Sequence, residues 1–413
     1  MTRPKNGGGP VGPKIGLALA GGGPAGAIYE IGALRALDEA IDGCDFNDLH
    51  VYVGVSAGAF ICSNLANNIS PTQMCRAIVK HEAGEHPFVP ETFYALATGE
   101  LLRRTFSVPR LLGQGLWSFL KDPLDKGLLG SFMLMGRALP TGIFDNRHLE
   151  EYLQRIFALK DRTNDFRELD RNLIIVAADL DSGQAIRFGH DSHEHIPISK
   201  AVQASTALPG VYAPVKIEGR HYVDGVLLKT MHGSLALDEG AELLICLNPL
   251  VPVDTVEAVN EGVMRRGKLI DRGLPTVLSQ SMRTMIRSRL GAGLAAYDGR
   301  FPGTDVMLFE PTADDYEMFF TNVFSFSSRR MVCEHAYEST RKQLWERRDE
   351  LIPVLNRHGL ILRTDVLEDE GRDLWDGVGL GRYEHRPGVL NDLDALLDRL
   401  EDQLGQISQT RNS

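Results

Sequence analysis

Ser56 stands in Gly54-Val55-Ser56-Ala57-Gly58, a G-x-S-x-G pattern. The pattern folds as a sharp strand-to-helix turn: its glycines let the chain pass close to itself, and the hydroxyl is left standing at a helix N-terminus. The positive end of that helix and the backbone N–H of Ala57 favour negative charge on an attacked carbonyl oxygen. The same pentapeptide also reads as an ordinary helix start with the serine as cap. Context favours the nucleophile, because residues 50–55 read as a buried strand and residues 59–67 as a small-residue helix.

A second glycine cluster, Gly21-Gly22-Gly23-Pro24-Ala25-Gly26, follows the apolar run 14–20. It precedes a helical pattern through Ile28, Ile31, Leu34 and Leu37, and Pro24 suits a first helical turn. Gly21, Gly23 and Gly26 satisfy the dinucleotide fingerprint G-x-G-x-x-G. That fingerprint needs an acid at the end of the second strand to hold a ribose. Here the strand ends in Gly54-Val55-Ser56, and Asp42, Asp45 and Asp48 all precede it. The rival reading is an oxyanion hole, since consecutive glycines present several N–H groups to one anionic oxygen with a helix dipole behind them. Gly21, Gly22, Gly23 and Ala57 are the candidate oxyanion-hole residues, with the N–H groups of Gly22, Gly23 and Ala57 as the expected donors.

A serine nucleophile needs a base. Asp224-Gly225 is a candidate, although Asp-Gly is equally a hairpin turn. His221 lies three positions before Asp224, and on a strand that offset faces the other way. His190, His193 and His195 cluster in a polar stretch that reads as a solvated turn, with a metal site as the weaker reading. No metal or cofactor is called for.

The elements that must position these residues alternate. Further strands are expected at residues 172–178, 185–189, 220–224, 242–248 and 305–310, several of them separated by helical patterns. The alternation predicts an α/β fold with a mostly parallel central sheet. An elbow on the second strand comes too early for the α/β-hydrolase topology, whose order is Ser, then Asp or Glu, then His. Residues 87–140 are apolar without strand punctuation and read as an inserted lid or pocket wall, or as extra core. Residues 263–290 are apolar and basic. Val277, Leu278, Met282, Met285, Ile286 and Leu290 can share one helical face with Arg283 and Arg287 beyond it, a candidate contact with a membrane surface. Residues 326–413 read as a helical extension. Its Leu390, Leu393, Leu397, Leu400 and Leu404 form an a/d seam for a homodimer or for docking within the chain.

The chain has 413 residues and a formal net charge of -11, which argues against a general nucleic-acid role. Residues 1–13 read as a disordered tail, and no apolar run reaches the length of a membrane span. Five cysteines without CxxC spacing fit buried thiols in a reducing cytoplasm, with peripheral membrane contact as an added expectation.

Taken in order, the glycine block at 21–26, the serine block at 54–58 and Asp224-Gly225 resemble the patatin-like phospholipases. Pro140-Thr141-Gly142-Ile143-Phe144-Asp145 and Ala204-Ser205-Thr206-Ala207-Leu208-Pro209 support the resemblance, which spans residues 14–310. It implies a three-layer fold with a mostly parallel central sheet, helices on both faces and, here, a helical C-terminal extension. It also implies a Ser56–Asp224 dyad, an oxyanion hole from the glycine loop, and hydrolysis of phospholipid or lysophospholipid acyl esters without metal. Gly26, Gly54, Gly58 and Gly225 are implied as supporting positions. This chain departs from the family at Ala25, where a basic residue is usual, and at Val226, where a small one is. Two other readings stay open: a non-lipid esterase or acyltransferase using the same dyad, and a nucleotide- or anion-binding protein or weakly active scaffold.

Overall fold

Along the first strand, β1 (Ile15–Leu19), side chains alternate between two cores. Leu17 and Leu19 enter one apolar cluster, and Ala18 and Ala20 enter another. The same division holds along β2 (Val51–Val55), with Tyr52 on one side and Val51, Val53 and Val55 on the other. A sheet buried on both faces is the signature of parallel strands covered by crossover helices. The structure, a computed structural model, describes residues 12–79, 95–96, 141–260, 269–312 and 326–380.

The main sheet is completed by β3 (Asn172–Asp179), β4 (Ala185–Phe188), β5 (Val215–Ile217), β6 (Arg220–Asp224), β7 (Leu243–Leu247) and β8 (Asp305–Phe309). Strands β8, β7, β1, β2 and β3 lie side by side and parallel. β4, β5 and β6 are antiparallel additions. The strands expected from the sequence are present within a residue or two; β5, whose three residues carry little pattern, was not anticipated.

Register explains how distant segments meet. Ile175 and Val176 of β3 pair with both β2 and β4, whereas Ala177 and Ala178 pair with both β4 and β6. Strands β2 and β6 therefore occupy the same edge of β3, end to end and pointing at one another. Val55 sits opposite Val176, and Asp224 sits opposite the next residue, Ala177. The last residue of β6 is thereby brought to the residue that follows β2.

On one face lie α1 (Gly23–Ala40), α2 (Ala57–Ala66), α3 (Pro71–Val79), α4 (Arg147–Phe157) and α5 (Ile198–Ser205), which contribute to the larger cluster. The other face is covered by α6 (Gly233–Asp238) and α7 (Leu274–Ala295), through Ala236, Leu237, Ile286 and Leu290. Helix α1 is buried almost all round, because α8 (Phe326–Glu346) packs on its outer side. Close approach there depends on Gly32: a Cβ at that position would lie 2.1 Å from the Cys333 carbonyl oxygen. At the far end of α1, Glu39 accepts from the Tyr337 hydroxyl at 2.6 Å and from Arg372 Nε at 2.8 Å, and pairs with Arg35. The described part of the C-terminal region is thus helical and fastened to the sheet-covering layer. The expected 1–13 tail (apart from its last two residues), the 87–140 insertion (apart from residues 95–96) and the 390–404 leucine seam lie outside the described residues.

Alanine ordinarily favours a helix over glycine by about 1 kcal/mol. At Gly32 a clash with backbone reverses the sign, so Gly32→Ala is expected to lower stability by about 2 kcal/mol in urea unfolding. Gly291→Ala on α7, where a Cβ meets nothing within 4 Å, is the control and should be neutral or stabilising.

Candidate active site

The turn after β2 is tight because nothing else fits. A Cβ on Gly54 would lie 2.5 Å from Ala59 Cα, and one on Gly58 2.4 Å from the Leu19 carbonyl oxygen. Ser56 between them adopts φ 54°, ψ -117°, a left-handed conformation that costs a non-glycine residue about 1–3 kcal/mol. Two contacts hold it there. Gly58 N donates to the Ala20 carbonyl at 3.0 Å, which ties the turn to β1. Ser56 N donates to Ser205 Oγ at 2.8 Å, and Ser205 Oγ donates to the Val176 carbonyl at 2.6 Å. Ser205 is a brace that sequence reading placed only inside a supporting stretch; a serine ending a small-residue helix carries no signal of this role.

Asp224 ends β6, fully buried, and its carboxylate accepts a hydrogen bond from the Ser56 side chain. Oδ1 also accepts from Val226 N at 2.9 Å. Burial pushes the carboxyl pKa up to about 7, and the two hydrogen bonds offset part of that rise. Gly225 leaves room for the backbone of β3: a Cβ there would lie 2.5 Å from the Val176 carbonyl oxygen. Among the described residues no histidine lines the cavity that holds Ser56 and Asp224. His221 is exposed, as its offset on the strand requires. His195 pairs with Glu218, and His190 with Glu239 and Asp191, all away from the site. Buried His232 bonds to the Gly225 backbone instead, and burial takes its pKa down to about 4, so it is neutral at pH 7.

The glycine loop leads into α1. Gly23 has φ +60°, a turn open to glycine at no steric cost. Gly22 and Gly26 carry Pro249 against them, with a Cβ on either meeting its ring at 2.7 or 3.0 Å. Gly22, Gly23 and Ala57 line the cavity beside Ser56, at the N-termini of α1 and α2. Gly21 does not join them as a free donor, because its N–H is spent on the Thr230 carbonyl at 3.2 Å. Its bare Cα lets Val226 and Ser56 approach. Ala25 is not among the cavity-lining residues, so the chain's departure there falls outside these walls. Val226 does line the cavity, and its branched side chain fills the space over Gly21.

The cavity measures about 670 Å³ and is mostly apolar, with Phe60, Phe144, Leu149, Leu208 and Tyr212 on the α4–α5 side and Leu278, Met282 and Ile286 on α7. Helix α7 does not divide as the sequence suggested. Ile286 and Leu290 are buried against the sheet, whereas Leu278 and Met285 are 54% and 58% exposed. The apolar residues span more than one face, because the helix covers the sheet and walls the cavity at the same time. Nor are the arginines an outer basic face. Arg283 lines the cavity and donates to the Val251 carbonyl at 3.2 Å, with burial taking its pKa down to about 10. Arg287 pairs with Glu310.

A family model described as patatin-like phospholipase matches residues 17–231, just over half of the chain and the span from within β1 through Asp224. The chain belongs to the patatin-like phospholipase family. Among curated relatives of this patatin-like chain, an uncharacterized protein, R571 of Acanthamoeba polyphaga mimivirus, is 25% identical over 51% of the chain and 57% of its own length. A probable lipid hydrolase, 463L of Invertebrate iridescent virus 6, is 20% identical over 51% of the chain and 58% of its own. The chain thus spans somewhat over half the length of each. Among solved structures, VipD from Legionella pneumophila is similar over 81% of this chain and 67% of its own, with 15% identity and a TM-score of 0.36. ExoU of Pseudomonas aeruginosa, solved with SpcU, is similar over 70% and 53%, with 15% identity and a TM-score of 0.23.

A carboxyl whose native pKa lies above its unfolded value keeps its proton while the unfolded chain loses it. Stability therefore falls as pH rises from about 4 to about 7, by a total on the order of 4 kcal/mol. Asp224→Asn removes this loss. Thermal unfolding of the variant is expected roughly 5 °C higher than that of the parent at pH 8, with the difference vanishing near pH 4.

Proposed function

We propose that this protein is a serine acyl hydrolase acting on lipid esters, with Ser56 as nucleophile and Asp224 as its base. The observation that carries the reading is the hydrogen bond between the Ser56 side chain and a buried carboxylate at the end of an apolar cavity. The family and a viral relative named as a probable lipid hydrolase support it.

An unperturbed aspartate is a weak base for a hydroxyl, whereas a carboxyl titrating near neutrality is matched to the task. Asp224 takes the Ser56 proton as Oγ attacks the ester carbonyl carbon. Negative charge moves to the carbonyl oxygen, which faces the N–H groups of Gly22, Gly23 and Ala57 and the positive ends of two helices. Collapse of the tetrahedral intermediate breaks the bond to the leaving alcohol, which takes the proton from Asp224. Water then attacks the acyl-enzyme, Asp224 again accepts a proton, and the fatty acid leaves as Ser56 is restored. An apolar chamber of this size suits an acyl chain better than a polar substrate.

Exposed apolar residues rim the chamber. Ile143 is 54% exposed and, with Leu278, also lines the interior. Val277 and Met285 continue this apolar surface on α7. It is the surface through which the protein meets a lipid aggregate peripherally; among the described residues no helix is long and apolar enough to cross a membrane.

Ser56→Ala and Asp224→Asn should each lower hydrolysis of a long-chain ester by ~10³-fold or more. Wild-type rates should rise with acyl length. A Val277→Asp/Met285→Asp double variant should lose roughly tenfold on phospholipid vesicles while keeping its rate on a soluble short-chain ester. Full activity of Ser56→Ala would end the proposal.

A further inference from the structure

Asn146 is the N-cap residue of α4, and asparagine is favoured there because its side-chain oxygen accepts from the first helical amides. In this protein it makes no such cap bond. The side chain turns instead toward α5, where Nδ2 donates to the Gln203 carbonyl at 2.8 Å and to Thr206 Oγ1 at 3.2 Å. A carbonyl only accepts, so the bond to Gln203 fixes which end of the amide is nitrogen. Thr206 Oγ1 is held in turn by the carbonyls of Val202 and Gln203. The orientation of the amide is thereby set on both sides.

What remains is Oδ1. Among the described residues no group donates to it, although Asn146 is only 3% exposed. Asn146 and Thr206 both line the cavity that holds Ser56 and Asp224. A fixed carbonyl oxygen in a mostly apolar wall is the kind of group that sets ligand orientation. It is an acceptor, so its complement is an O–H or N–H donor, and an ester-cleaving site offers two O–H sources. One is a free hydroxyl on the alcohol part of a partly acylated lipid; the other is the water that releases the acyl-enzyme.

We infer that Asn146 Oδ1 is a hydroxyl-recognition point in the acyl-ester cavity, built from α4 and α5 and unrelated to the helix cap its position suggests. The inference rests on the serine hydrolase reading of Ser56 and Asp224. It goes beyond that reading by assigning the site a preference for esters that keep a free hydroxyl, as in lysophospholipids and partial glycerides, or else a handle on the hydrolytic water.

The test compares lysophosphatidylcholine with its deoxy counterpart, in which hydrogen replaces the free hydroxyl. It uses the full chain and two variants, Asn146→Leu and Asn146→Thr. Threonine, smaller and still polar, serves as the second variant if leucine disturbs folding. Labelling of Ser56 by a fluorophosphonate reports that the elbow is intact in each variant, and turnover of the deoxy ester by the wild type tests the hydrolase reading independently. If the hydroxyl belongs to substrate, the wild type should favour the hydroxyl ester by roughly 10- to 100-fold in kcat/KM, and that ratio should fall toward one in both variants. If it belongs to water, the wild type should treat both esters alike, while the variants accumulate acyl-enzyme from both. A wild type without preference, together with variants that neither change the ratio nor slow deacylation while labelling normally, would overturn the assignment.

Discussion

The site depends on a carboxylate kept away from water within hydrogen-bonding reach of a serine. Asp224 is 1% exposed, and its charge is compensated by two hydrogen bonds rather than by a cation. Desolvation of this kind is unfavourable for folding, and it is also what lifts the carboxyl toward neutrality, where it can exchange a proton with a hydroxyl. The surrounding fold has to hold an arrangement that the isolated groups would avoid. The strained backbone of Ser56 adds to the demand, and the answer is rigid attachment: Gly58 to β1, Ser205 to β3, Asp224 by its amide to the Ala207 carbonyl.

The topology makes this meeting possible. Strands β2 and β6 share one edge of β3 and approach head to head, so two segments far apart in the chain are placed by the register of a third. The cavity then opens between the α4–α5 layer and α7. Helix α7 serves two surfaces, with Ile286 and Leu290 packed toward the sheet and Leu278 and Met282 toward the chamber. Behind the site, α1 carries the glycine loop at its N-terminus and is clamped by α8 at Gly32 and by the Glu39 network. The helical C-terminal region therefore supports the helix whose N-terminal end lines the cavity.

Local features were legible in the sequence and contingent ones were not. The serine elbow and glycine loop could be read because strand, turn and helix follow each other directly, and the tight turns demand glycine. The parallel strands were visible as apolar runs. Asp224 was ambiguous by itself, since Asp-Gly makes hairpins as readily as active sites; its place depends on strand register, which no local pattern encodes. Gly21 was grouped with the anion-binding glycines, yet its amide is taken by Thr230, a partner some two hundred residues away. A helical wheel could find the apolar residues of α7 but could not separate those facing the sheet from those left exposed. The Ser205 brace and the Asn146 contact with Gln203 were invisible in the sequence, because each is a tertiary contact that replaces the local use of its residue type.

The central claim is that the carboxyl of Asp224 controls the nucleophilicity of Ser56. The most direct measurement is the rate at which a fluorophosphonate reacts with Ser56 as a function of pH, in the wild type and in Asp224→Asn. The wild-type rate should rise with a single ionisation near pH 7 and level off above it, as the buried carboxyl loses its proton. The variant should react slowly with no such step. An unchanged ionisation in Asp224→Asn, or equal rates for the two proteins at pH 8, would contradict the account.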